Sequence, residues 1–242
     1  MTKYRRVWLG SAISGFVAPA LFLLGLGFGL GRLVDEAATG GVPYVAFVAP
    51  GVLAATAVQV AAGETSFSVV GAIKWQRVYD GMLATPLRVG DLVAGHLAYA
   101  LVRVGTAAAA FLLVAALLGT PRSPWAPAAV PVAVLGGLAF GAACYAYSAS
   151  LRGDGGLAAL FRFVVTPMTL FSGTFFPVGA LPGWMQPLVW ATPLPHAVAA
   201  ARALWLGAVE PAAFAGHLLY LVAWLVVGGL LARRVLRGRM VV

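Results

Sequence analysis

Gly71-Ala-Ile-Lys-Trp-Gln-Arg-Val-Tyr-Asp-Gly-Met-Leu-Ala-Thr-Pro-Leu-Arg-Val-Gly-Asp91 is the one long polar interruption in the first half of the chain. Apolar runs long enough to cross a bilayer flank it on both sides. Within it, Trp75, Val78, Tyr79, Met82 and Leu83 recur at i, i+3, i+4, i+7 and i+8, which is one face of a helix. Lys74, Arg77 and Asp80 fall outside that stripe. Pro86 lacks a backbone donor and disfavours helix at Thr85. The spacing therefore predicts a short amphipathic helix over about 72–85, outside the bilayer, with side chains to offer a partner.

Composition agrees with spans on either side. Of 242 residues, 62% are hydrophobic and 10% charged, against about 25% charged in a soluble domain. A soluble fold of this size cannot hide so much apolar surface, so the class is an all-α polytopic membrane protein. The net charge of +9 forms no single patch and gives no reason to expect a nucleic-acid partner. The basic residues sit in short clusters at the ends of apolar runs, as topology signals do. The lone Cys144 lies inside an apolar run and offers neither a disulfide within the chain nor a metal cluster.

Taken in order, six spans are expected at about 7–31, 44–70, 92–118, 128–150, 157–176 and 213–231. The first run is too long for the apolar region of a signal peptide. Between spans five and six, about 177–195 holds Pro177, Pro182, Pro187, Pro193 and Pro195 beside Trp184 and Trp190. That stretch is too broken to span and too apolar for a free loop, so it should dip in and out of the membrane under the shelter of other protein. Six spans put both termini on one side. Lys3, Arg5, Arg6, Lys74, Arg77, Arg88, Arg152 and the tail arginines Arg233, Arg234, Arg237 and Arg239 share that side, against Arg32, Arg122 and Arg202 opposite. The positive-inside rule makes the richer side cytoplasmic. The expected location is the bacterial plasma membrane, and the chain reads as a single domain.

Charges inside the spans need partners. Glu64 sits six residues before the expected end of the second span, or about 9 Å deep at the helical rise. His96 lies at a similar depth and Arg162 a little shallower, and they are its candidate partners, as a structural clamp or as a polar gate. Arg103 lies deeper and also needs shelter. Catalytic signatures do not appear. The residue two before Ser172 is Leu170, which excludes a Gly-x-Ser-x nucleophile motif, and paired Asp motifs are absent. With Lys3 and Lys74 its sole lysines, the chain holds no phosphate-binding Gly-x-x-x-x-Gly-Lys-Ser/Thr loop and cannot hydrolyse ATP by that mechanism.

Gly63-Glu64, the Lys74 helix, Met82 to Arg88, Asp91 and Gly95 resemble the membrane subunits of ABC-2-type exporters. So do Phe171-Ser-Gly-Thr-Phe-Phe-Pro177, Leu181-Pro182, Trp184 and the stretch from Pro193 to Arg202. The nearest branch is that of nodulation-factor (lipo-oligosaccharide) exporters and daunorubicin-type drug-resistance permeases. The resemblance covers nearly the whole chain. It implies a dimer, with a second copy or a related permease, bound to two cytoplasmic ATPase subunits. ATP and magnesium belong to that partner, and no cofactor is implied in this chain. The helix after the second span is then the coupling helix, with Lys74, Trp75, Arg77, Val78, Tyr79, Asp80, Met82 and Leu83 docking on the ATPase. The first, second and fifth spans are implied to face the substrate path, with Phe16, Phe22, Phe47, Gln59, Phe163, Met168 and Phe171 as lining candidates. The segment after the fifth span forms short re-entrant helices, with Phe175, Phe176, Pro177 and Trp184 at an outer gate. The expected cargo is amphipathic, lipid-linked or drug-like, moved outward across the plasma membrane along a path between subunits, with membrane lipid as a further partner. Sugar-polymer exporters often carry a longer amphipathic segment ahead of the first span than Met1 to Arg6, which speaks against a polysaccharide. The reading of a different class is a secondary transporter or structural membrane module that uses no ATP.

Overall fold

Long apolar runs with no polar break have one economical solution in lipid, the helix, which satisfies its own backbone. The computed structural model of the protein describes residues 21, 23–25, 29, 31, 39, 41–153 and 155–240. Most of the expected first span, with Phe16 and Phe22, lies outside the described residues. Among those described, four helices are long and apolar enough to cross a membrane: Tyr44–Trp75, Val89–Leu117, Ala126–Ser150 and Pro211–Met240. We label the α-helical parts α1 (Tyr44–Val70), α2 (Val78–Leu83), α3 (Val89–Leu117), α4 (Ala129–Ser150), α5 (Gly155–Leu160), α6 (Thr166–Phe171), α7 (Gln186–Trp190), α8 (Pro193–Leu206) and α9 (Pro211–Met240).

Three boundaries differ from those expected. α1 does not stop at Val70 but continues through a wide π turn, Gly71–Trp75. The expected fifth span, 157–176, is a shorter rod, Gly155–Phe171. It ends because Gly173 takes a positive φ of 82° and turns the chain. A second π turn, Phe161–Val165, interrupts it. Pro167 has no N–H for the carbonyl four residues back, so the helix widens there. The Thr166 hydroxyl donates to the Phe161 carbonyl at 2.9 Å. The expected tail after residue 231 is helical to Met240. No breaker occurs in it, arginine is a good helix former, and basic side chains suit a helix C-terminus.

α4 is the hub, packed against α1, α3, α8 and α9. Its glycines let backbones approach. A Cβ on Gly137 would stand 2.8 Å from the Ala57 carbonyl oxygen on α1. On α9, a Cβ on Gly228 would stand 2.8 Å from the backbone nitrogen of Ala143. Such small-residue contacts are how helices associate where lipid offers no hydrophobic drive.

At one end of the bundle lie Lys74, Arg77, Arg88, Arg152 and the arginines of α9, and this is the basic end. It is tied together by side chains. Lys74 Nζ donates to the Arg152 carbonyl at 2.8 Å, and Arg239 Nη1 donates to the carbonyls of Ala149 at 2.6 Å and Leu151 at 2.7 Å. These bonds satisfy carbonyls that the end of α4 leaves orphaned. At the start of α3 the Arg88 N–H donates to Asp91 Oδ2 at 2.8 Å, the N3 half of a capping box. The opposite end is held by α8, whose Trp205 is fully buried and donates Nε1–H to the Thr120 carbonyl at 3.0 Å.

Candidate functional site

The stretch read as one amphipathic helix over 72–85 is two pieces. The π turn ends at Trp75, and α2 begins at Val78. Arg77 between them sits in the left-handed region at φ 50°, an uncommon conformation for a residue with a side chain. Its Nε pairs with Asp80 Oδ2 at 3.1 Å. The break divides the apolar stripe. Trp75 (63% exposed), Val78 and Met82 point outward. Tyr79 turns inward and is 5% exposed, while Leu83 is half-buried against the same inner cluster.

Tyr79 is the centre of a polar chain that joins four elements. Tyr79 Oη lies 3.1 Å from His96 Nδ1 on α3, His96 Nε2 lies 2.8 Å from the Glu64 carbonyl on α1, and Tyr145 on α4 donates to Tyr79 Oη at 3.0 Å. The tautomers follow from donor and acceptor capacity. A carbonyl can only accept, so His96 carries its proton on Nε2. Nδ1 then accepts from Tyr79, and the Tyr79 oxygen accepts from Tyr145. Every member is then satisfied. The His96 and Tyr145 rings also meet edge to face at 5.3 Å. Burial pushes the Tyr79 phenol above its usual pKa, opposed by the bond from Tyr145. Tyr79, expected among the outward docking residues, is instead the anchor of α2 to three long helices. Nothing in the sequence marks Tyr145. It sits in an apolar run, 66 residues from its partner, and no local spacing could mark it.

The Glu64 carboxylate has Arg103 as its partner, with Nε–Oε1 at 3.0 Å and side chains 18% and 39% exposed respectively. That corrects the pairing expected with His96 or Arg162. His96 uses the Glu64 backbone, and Arg162 is exposed on the fifth rod. The rod carrying Glu64 runs on to Trp75, which puts the ion pair about 16 Å along the helix from that end rather than about 9 Å.

The five lining candidates among the described residues differ in exposure. Phe47 is buried under the Arg202 guanidinium, whose Cζ is 3.8 Å from the ring centroid. Gln59 and Phe163 (73%) are exposed, Met168 is buried, and Phe171 is half-buried and meets Phe176 edge to face at 6.5 Å. Toward the outer gate, Phe175 and Phe176 are half-buried while Pro177 and Trp184 are exposed. Arg202 also donates Nε–H to the Phe47 carbonyl at 3.1 Å and Nη2–H to the Gly173 carbonyl at 2.6 Å. Read from sequence only as a loop charge, Arg202 fastens the turn after α6 onto α1. Tyr44 donates to the Phe175 carbonyl at 3.2 Å and completes that clasp.

A histidine pair links α8 to α9. His196 Nδ1 and His217 Nδ1 are 2.9 Å apart, and His196 Nε2 lies 2.9 Å from the Trp190 carbonyl. The carbonyl requires a proton on Nε2, so His196 Nδ1 accepts and His217 Nδ1–H donates. A proton added to His196 Nδ1 would set donor against donor. Burial holds the His196 imidazole below the usual value, partly offset by its bond to the Trp190 carbonyl. A lowered folded pKa means that the unfolded chain takes up the proton first. The stability contribution is whole above about pH 6.5 and is lost as pH falls through the folded value. Acidification from about pH 8 to about pH 5 should therefore loosen α8 from α9, read as a change in Trp190 emission against a Trp190→Phe background. His196→Gln should abolish the pH response, and an unchanged response would remove the pair from consideration. Among the described residues no group of three or more His, Cys, Asp or Glu could hold a metal ion.

Comparison with known proteins bears on the whole chain. Residues 1–206 match the family described as ABC-2 type transporter. The chain is 32% identical to nodulation protein J of Rhizobium meliloti over 238 residues, covering 98% of this chain and 89% of that protein. It is 35% identical to nodulation protein J of Rhizobium leguminosarum bv. trifolii over 204 residues, covering 84% and 77% respectively. An Escherichia coli protein, inner membrane transport permease YadH, is 24% identical over 212 residues, covering 85% of this chain and 79% of its own.

Proposed function

The chain belongs to the ABC-2 type transporter family, and from that premise we propose that it is the membrane subunit of an ATP-driven exporter, working with a separate ATP-binding subunit at its basic end. The observation that carries this reading is the Tyr79 chain. A short helix outside the long spans is wired by hydrogen bonds into α1, α3 and α4. A partner that pulls on α2 through Trp75, Val78 and Met82 acts on three helices at once. ATP binding to the partner then needs only to favour one of two packings of the bundle. The cargo is amphipathic or lipid-linked, which suits helices that present apolar faces and, among the described residues, the Glu64–Arg103 ion pair. The Pro177–Trp190 stretch and α8 act as the re-entrant outer cap. At 14 residues α8 is too short to cross, yet it packs on α1, α4 and α9.

Two variants separate docking from transmission. Met82→Asp places a charge on the outward face and should reduce co-purification of the ATP-binding subunit, with export falling in proportion. Tyr79→Phe keeps the ring and removes the hydroxyl, leaving His96 Nδ1 and Tyr145 Oη without their partner, a cost of about 1–3 kcal/mol. The assembly should form normally and hydrolyse ATP, while export per ATP drops about tenfold. If Tyr79→Phe exports at the wild-type ratio, α2 does not transmit through this chain. A chain that purifies with no ATP-binding subunit and still transports would support the secondary-transporter reading instead.

The basic end is proposed to face the cytoplasm. A cysteine at Pro124, in the turn before α4, should react with an impermeant maleimide in intact cells. One at Gly238 should react only after the membrane is broken. Cys144 is buried and gives little background. The opposite labelling pattern would invert the topology.

A further inference from the structure

We propose that the cleft between the last turns of α4 and α9 holds the phosphate headgroup of an anionic phospholipid. The cleft is a groove open to the surface, with a volume of about 590 Å³. Arg152, Arg234 and Arg239 form its rim, and Ala149, Leu231 and Val235 its apolar wall. No Asp or Glu occurs among its described lining residues. Arg239 is fixed in place, because its Nη1 donates to the carbonyls of Ala149 and Leu151. Its Nε and Nη2 retain three N–H donors, a planar fork suited to phosphate oxygens. Arg152 and Arg234 are exposed, and neither guanidinium meets a carboxylate among the described residues.

The geometry selects a lipid over a soluble anion. Leu231 lies eight residues before Arg239 on the same helix, about 12 Å toward the apolar middle. From Leu231 the exposed face continues through Leu230, Val227 and Val226. An acyl chain would follow that face while its phosphate sat at the arginine rim. Inorganic phosphate would use the rim and waste the wall, and an acidic protein surface would do the same.

The test uses the purified full chain in phosphatidylcholine nanodiscs doped with phosphatidylglycerol, with retained lipid counted by native mass spectrometry. One phosphatidylglycerol per chain should survive release. Arg152→Gln with Arg234→Gln should lower its affinity about 25-fold, from a contribution near fivefold for each arginine. Leu231→Gln, which alters no charge, should lower it too. Arg77→Gln with Arg88→Gln removes the same charge from the same end and should leave it intact. Equal loss in both double variants would mean a diffuse basic surface and overturn the site. Displacement by inorganic phosphate at matched concentration would show that the wall contributes nothing and overturn the lipid assignment. Normal lipid retention in Arg152→Gln with Arg234→Gln, together with lost binding of the ATP-binding subunit, would make the cleft a protein contact and overturn the proposal.

Discussion

Gly137→Leu should yield almost no folded protein, whereas Gly229→Ala should purify as well as the wild type or better. A Cβ on Gly137 would stand 2.8 Å from the Ala57 oxygen, 3.0 Å from the Ala57 carbonyl carbon and 3.2 Å from Val104 Cγ1. The first two are backbone atoms of α1 and cannot rotate away. A methyl at such a contact costs about 1–3 kcal/mol, and a leucine more. The strain would spread, because α4 is the helix on which α1, α3, α8 and α9 all rest. Gly229, one residue after the tightly packed Gly228, has nothing within 4 Å of the added carbon. Alanine there gains up to about 1 kcal/mol of helix propensity. The measurement is the monodisperse fraction and thermal midpoint in detergent. A normal midpoint for Gly137→Leu would show that α1 and α4 cross with room to spare.

Glu64→Gln should cost about 2–3 kcal/mol, and so should Arg103→Gln, while the double variant should recover more than half of the combined loss. Each single change removes one half of the Glu64–Arg103 pair, and weakening the compensation of an ion inside the membrane is costly. The figure is set below that of a fully buried pair because Arg103 is 39% exposed and Glu64 18%. His96 cannot take over, since its Nε2 proton is committed to the Glu64 backbone and its Nδ1 to Tyr79. Thermal unfolding of the four proteins completes a double-mutant cycle. Strict additivity would show that the two side chains do not hold each other. Export measured on the same proteins then distinguishes a clamp, for which the double variant regains transport with its stability, from a gate, for which it does not.

Sequence alone determined the membrane class, the positions of the long helices after residue 43, the concentration of basic residues at one end and the family resemblance. All of these depend on quantities that add up along the chain: apolar run length against bilayer thickness, charge at run ends, and the order of short motifs. It also marked the polar break after the second span, which the structure narrows from 71–91 to 76–88, and Glu64 as an acid in need of a partner. Tertiary structure decided which partner that acid has and which way Tyr79 points. A stripe at helical spacing assumes an unbroken helix; the left-handed Arg77 breaks it after Trp75, so α2 takes its own orientation, with Tyr79 buried while Trp75 stays exposed. Arg103, Tyr145 and Arg202 acquired their roles from neighbours 39, 66 and 155 residues away in the chain. Helix boundaries at Trp75, Phe171 and Met240 moved for local reasons that periodicity does not register: two π turns, a positive φ at Gly173, and arginines that continue a helix as readily as they end one.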